Sequence, residues 1–280
     1  MALYAAQALL SIINNNVNSE KEKVIPEEVE MQILDSIFSK IHQMLENKQS
    51  EADKLLTSLI RTIEIVGEQL VFNKLTLYGL TYQCFMMDIS ETSKKLLCAV
   101  FSVLSTFSNS LSDFSDEIEQ TLLMLFNSAS PTEDRIQMWN QLQYEEDYDD
   151  CSLGDLIAET VSSAASGLGR KFMFPLIMRF IDEVEVAPSN LNQVLSAIVV
   201  FQAAVSGMSD VVKQNDCERF LPFIIQCTQC PVDIVQARMW CCFADMCFEL
   251  SPKLQKYHKQ LIPMILVGCQ HANVKVMNVA

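Results

Sequence analysis

Glycine is scarce, with seven residues in a chain of 280, and no stretch shows the apolar–polar alternation of a half-buried strand. Together these exclude a sandwich or barrel built on glycine-rich turns. Basic residues are few as well: 20 Lys plus Arg stand against 35 Asp plus Glu, for a net charge of −15. Such a surface repels phosphate, which argues against direct nucleic-acid binding, and it steers basic partners inward. The three histidines, His42, His258 and His271, have neither a second histidine nor a carboxylate at ligand or base-orienting spacing. No GxSxG, HExxH or phosphate-loop motif is present. The chain reads as a non-enzyme without a cofactor. No run approaches the roughly 20 consecutive apolar residues of a bilayer span. The apolar opening ALYAAQALLSII lacks the basic flank and cleavage site of a secretory signal. The expectation is a soluble intracellular protein that does not engage a membrane.

Cysteine is plentiful, at ten residues, yet it forms no disulfide framework. Most of it lies in apolar helical runs such as FIIQCTQC and MWCCFADMC, which suits buried free thiols in a reducing compartment. Cys227 and Cys230 make a CxxC, with Cys241 and Cys242 downstream, and a four-cysteine zinc site is conceivable. Adjacent residues point about 100° apart on a helix, a poor geometry for two ligands. Packing is therefore expected, with neither metal nor disulfide. SGLGRK (166–171) carries two glycines and two bases, but it follows a helix, where glycine is an ordinary stop signal.

Half of the residues are apolar, and their spacing is helical almost throughout. In NLNQVLSAIVVF, Leu191, Val194, Leu195, Ile198 and Val199 recur at three and four residues and mark one buried face. SPTE at Ser130 and SPKLQ at Ser251 read as helix starts of capping-box type with proline at the first helical position. Three helices, RKFMFPLIMRFI, CERFLPFIIQCT and HKQLIPMILVGC, each carry an internal proline. These are Pro175, Pro222 and Pro263, separated by 47 and 41 residues. An interior proline costs about 3 kcal/mol, so its return in one context argues for a shared kink. A short turn and a second apolar helix follow each. Helical hairpins repeating at this period define HEAT or armadillo architecture. Upstream, 27–46 pairs with 51–66, 70–87 pairs with 91–108, and 114–126 begins a third hairpin. Residues 1–13 read as the second helix of an earlier repeat. The expected fold is all-α, a HEAT-repeat superhelical solenoid of about six to seven hairpins without sheet. Neither end carries a polar capping repeat, so residues 1–280 read as one array within a longer chain.

One short run breaks the pattern. QYEEDYDDCS (143–152) holds five carboxylates, Glu145, Glu146, Asp147, Asp149 and Asp150, and no base. It reads as a solvated loop at 143–151 inside a repeat, between 114–126 and 153–166. Its reading as a mere connector stays open beside a binding role. In IVQARMWCCFADM the buried face is best filled by Val235, Met239, Cys242 and Phe243. That leaves Trp240 toward an edge near Asp245 and Glu249, where it can stack on a partner's cation. The alternative, favoured by its bulk, is that Trp240 seals the neighbouring repeat.

The residues from 152 onward resemble a known family. SLGDLIAETVSSAASGLGRKFMFPLIMRFI is similar to the stretch after the acidic loop of importin-beta-family nuclear import receptors, through Ala164, Gly167, Leu168, Gly169, Lys171 and Pro175. VQARMWCCFADMCFELSPKLQKYHKQLIPMIL resembles the following repeats, and LLTSLIRTIEIVGEQL an upstream helix. An acidic run preceded by Trp139 resembles the type that carries ribosomal proteins and histones. Where the family has Val-Arg in its second helices, this chain has Val235-Gln236 and Val274-Lys275, so the family's Asp–Arg ladder is incomplete. The resemblance implies a monomeric receptor that shuttles between cytoplasm and nucleus through the nuclear pore. It would bind basic cargo with the help of the acidic loop, Ran GTPase through the full-length receptor, and phenylalanine–glycine nucleoporins. Trp240, Asp245 and Glu249 are added to the cargo-binding residues from their own spacing. The other class that the repeat allows is a scaffold subunit of phosphatase or condensin type.

Overall fold

The computed structural model describes residues 2–17, 26–66, 74–106, 115–141 and 152–280. In chain order the helices are α1 (Ala2–Val17), α2 (Glu27–Glu46), α3 (Glu51–Val66), α4 (Lys74–Phe85), α5 (Glu91–Thr106), α6 (Ser115–Ser128), α7 (Glu133–Gln141), α8 (Leu153–Leu168), α9 (Arg170–Glu183), α10 (Leu191–Met208), α11 (Gln214–Thr228), α12 (Asp233–Glu249), α13 (Ser251–Leu254), α14 (His258–Gly268) and α15 (Val274–Val279). No strand occurs among the described residues. Two compact units divide the chain, Met1–Met124 and Leu125–Ala280, with the boundary inside α6.

In the first unit α1, α3 and α5 lie side by side, and α2 and α4 form the other layer of the α2/α3 and α4/α5 hairpins. Leu34, Ile37, Phe38, Ile41 and Leu45 of α2 are all at most 3% exposed, the three-and-four spacing that gives a helix one buried stripe. Leu55, Leu56, Leu59 and Ile63 of α3 and Leu97, Phe101 and Leu104 of α5 complete this core.

The second unit repeats the plan. Helices α8, α10, α12 and α15 pack in succession as one layer, and α9, α11 and α14 as the other. Helix α10 is the centre. Its surroundings bury more than the single expected face: Val194, Ala197, Val200, Phe201 and Ala204 are fully buried while Leu191 and Val199 stay partly exposed. Cover by both α8 and α12 explains the wider buried surface. The segment Pro188–Met208 is also long and apolar enough to cross a membrane, which corrects the expectation that no run approaches that length. Most of it is core, and burial between two helices demands the same composition.

Pro175, Pro222 and Pro263 lie inside α9, α11 and α14, and all three are exposed. On the outer side of a helix, the carbonyl four residues before each proline can turn to water when its N–H partner is missing. Gly169 separates α8 from α9 as a single residue at φ +72°, a conformation that disfavours any side chain. It is the stop signal expected there.

The capping expectations need correction. Helix α7 begins at Glu133, and its cap hydrogen bond runs from the Arg135 N–H to Thr132 Oγ1 at 3.4 Å, not to Ser130. Ser251 lies within α13 and makes no cap bond. A full capping box forms instead at α8, where Ser152 Oγ accepts from the Asp155 N–H and Asp155 accepts from the Ser152 N–H.

Candidate functional site

Neighbouring repeats are tied by hydrogen bonds at a near-constant sequence interval. In the first unit Ser93 Oγ donates to Asp53 at 2.5 Å, forty residues away. In the second, Asn273 Nδ2 donates to Asp233 at 2.7 Å, again forty residues away. Asp53 and Asp233 lie in the first turns of α3 and α12, and the donors lie at the starts of α5 and α15, the next helices of the same layers. A serine and an asparagine make these two ties, while Gln236, one of the two positions where the family has arginine, donates instead to the Cys230 carbonyl at 2.7 Å. Arg170 grips Asp216 of the next repeat through Nε and Nη2, both at 2.6 Å.

On α12, Val235, Met239, Cys242 and Phe243 are buried as expected, but so is Trp240, at 2% exposure. The edge placement is therefore corrected, and the alternative favoured by its bulk, that Trp240 seals the neighbouring repeat, holds. Its indole meets the Phe243 ring edge-on at 6.0 Å, and a Cβ on Gly268 of α14 would lie 2.6 Å from it. The helical spacing of α12 alone gave no sign of this close approach by the next repeat. Beside the indole lies a cavity of about 320 Å³ lined by Ile225, Pro263, Met264 and Val267 among others. Asp245 and Glu249 accept hydrogen bonds from α10, from Gln202 Nε2 and from Ser206 Oγ at 2.7 Å respectively. Phe248 between them is 90% exposed. Glu145, Glu146, Asp147, Asp149 and Asp150 lie outside the described residues.

The residue that the spacing did not single out is Trp139. Nine-residue α7 leaves the hairpin order and reaches several repeats of the second unit. Arg135 Nη1 donates to Ser152 Oγ at 2.8 Å and to Asp155 at 3.1 Å, at the start of α8. Burial acts to raise the Asp155 pKa, but hydrogen bonds from Ser152 and the Arg135 charge outweigh it and hold the carboxyl low. A groove separates Ile136 and Gln137 from the start of α10 at Asn190–Gln193. Farther along, α7 packs against α12. Trp139, 9% exposed, carries the Lys275 ammonium 4.1 Å above its ring centroid. Lys275 Nζ also donates to the Trp139 carbonyl. Only the acidic run that follows Trp139 hinted that this residue mattered.

Cys227, Cys230 and Cys242 are buried, and burial first of all pushes the Cys227 and Cys242 thiols up. Burial likewise pushes Cys84 to about 12. Protonated thiols are poor metal ligands and poor nucleophiles. No group of three or more metal-ligating side chains occurs among the described residues. Alkylation of the native protein at pH 8 should modify exposed Cys269 at least about tenfold faster than Cys227 or Cys242. Peptide mass mapping over time checks the order.

The packed, alternating layers define an all-α HEAT-repeat solenoid, and solved structures match it closely. The chain resembles Kap121p bound to RanGTP with a TM-score of 0.76 at 15% identity, over 99% of this chain and 27% of that chain. It resembles Kap121p bound to Nup53p (0.72, 14%, 99% and 29%) and Kap121p bound to Ste12p with the same values. Kap121p is a karyopherin. The chain spans less than a third of the length of these structures. No family model matches the sequence, and no curated protein matches it.

Proposed function

We propose that this chain is a segment of an importin-beta-like nuclear transport receptor, nearest the importin beta-three (importin-five) type, which carries basic cargo between cytoplasm and nucleus. The observation that carries the reading is a fold match over 99% of the chain to Kap121p in complex with RanGTP, Nup53p and Pho4p. The net charge of −15 supports a basic cargo. In this reading residues 1–280 form one array, and the acidic run meets the cargo together with Asp245 and Glu249. Trp240 contributes from within, as one wall of the cavity between α11 and α14. That cavity suits a phenylalanine side chain of a nucleoporin. Ran is engaged by the longer receptor, which acts as a monomer without a cofactor.

The test is the association of a lysine- and arginine-rich peptide at several salt concentrations. The wild type is compared with a variant carrying Glu145→Gln, Glu146→Gln, Asp147→Asn, Asp149→Asn and Asp150→Asn. Exposed charges act within a Debye length, about 8 Å at physiological ionic strength. Neutralising five of them should slow association about tenfold at low salt and change dissociation less. Equal association rates at low salt would reduce the run to a connector. A scaffold subunit would bind neither this peptide nor a phenylalanine–glycine peptide.

A further inference from the structure

Trp139 and the end of α7 meet the ammonium of Lys275. Trp139 is the one buried residue of α7 among those described, and its indole N–H finds no hydrogen-bond partner. The π face attracts a cation. Trp139 also sits near the C-terminal end of the helix, where the last carbonyls lack helical partners and carry the negative end of the dipole. Both attractions converge on one atom, Lys275 Nζ. It lies over the ring and bonds the Trp139 carbonyl from 136 residues away in sequence. Apart from this contact, α7 is held by the Arg135 hydrogen bonds at the start of α8 and by packing against α12. Glu133, Asp134, Gln137, Met138, Asn140 and Gln141 are exposed, and a helix of nine residues is marginal unaided. Lys275 is itself partly exposed, on a flexible stem that can withdraw. The five carboxylates of the acidic run begin six residues after Trp139 in sequence.

We propose that the Trp139 face and the terminal carbonyls of α7 form a lysine site, that Lys275 fills it as an internal occupant, and that a lysine of a basic partner takes its place. This rests on the reading that the chain binds basic partners. A lysine fits better than an arginine, because a point charge is satisfied by one ring and one carbonyl while a five-donor fork is not. An internal occupant lowers the apparent affinity for an external one by the fraction of time the site is filled.

The experiment measures octalysine binding by calorimetry at fixed low salt. Lys275→Met removes the internal cation and keeps the apolar stem. It should bind octalysine about three- to tenfold more tightly than the wild type. Exposed Lys259→Met removes the same charge elsewhere on the surface and should gain less than about twofold. The gain of Lys275→Met should vanish when Trp139→Leu is added and persist in part with Trp139→Phe, which retains a ring. An equal gain in Lys275→Met and Lys259→Met would overturn the proposal, as would a full gain in the presence of Trp139→Leu. If the wild type binds octalysine and Lys275→Met binds it no better, the inference is wrong and the basic-cargo reading stands. If no protein in the set binds octalysine, both are wrong.

Discussion

Replacing Gly207 by leucine should destabilise the second unit by about 3 kcal/mol or more. A Cβ at this position would lie 2.2 Å from the Ser162 carbonyl oxygen and 2.9 Å from the Ala165 Cβ. The obstacle is backbone, so no side chain can swing aside, and α10 must move away from α8. Alanine would meet the same carbonyl at smaller cost, about 1–2 kcal/mol, partly offset by its better helix propensity. Gly79 in α4 is the opposite case, since a Cβ there meets nothing within 4 Å. Gly79→Ala should stabilise by about 0.5–1 kcal/mol. Urea midpoints followed by circular dichroism would rank the variants. A Gly207→Leu protein with a wild-type midpoint would show that the two helices do not meet as described.

Removing Asp216 should cost about 2–4 kcal/mol, near the low end of a broken buried pair because Arg170 retains some solvent. The Asp216 side chain is 7% exposed and that of Arg170 26%. The carboxylate also accepts the Lys213 N–H at the start of α11 at 2.7 Å, and the Arg170 guanidinium lies 5.1 Å from the Phe174 ring. Asp216→Ala therefore loses an inter-repeat tie and half a helix cap, and it strands a cation. Arg170→Lys should be costly too, because an ammonium cannot match the two-point geometry. Burial acts to raise the Asp216 pKa, but hydrogen bonds from Arg170 and the Lys213 N–H outweigh it and hold the carboxyl below 3.8. A carboxyl depressed in the folded state gives its full stabilisation above the unfolded value of 3.8. That stabilisation drains away as pH falls through the lower folded value. Below pH 4 the wild type should thus lose part of its advantage over Asp216→Asn. Midpoints of the two proteins from pH 7 down to pH 2.5 test this, and a gap constant across the range would contradict it.

How far sequence reasoning reached depends on the range of the interactions involved. Helices α2 and α3 occupy the residues expected, because an apolar stripe at three-and-four spacing is local information. The internal prolines marked the period for the same reason. For Trp240 the sequence left two placements open, with sealing of the neighbouring repeat favoured by bulk. The helical wheel of α12 could not decide between them, because Gly268, which closes over the indole, lies in the next repeat. The role of α7 was hidden more deeply. Its buried tryptophan is recognisable only beside Lys275, and no periodicity links residues 136 positions apart. The five loop carboxylates were conspicuous in composition, yet charge alone does not fix where a loop sits.

A stack of hairpins joined only to adjacent hairpins bends like a coil spring, with each joint adding a small compliance of its own. Helix α7 breaks that rule within the second unit. It is pinned at α8 through Arg135 and at α15 through Lys275, with α10 and α12 between these points. Such a member resists flexure across several joints at once, as a diagonal brace stiffens a frame. At one of its two ends this brace is joined by a single ammonium resting on an indole.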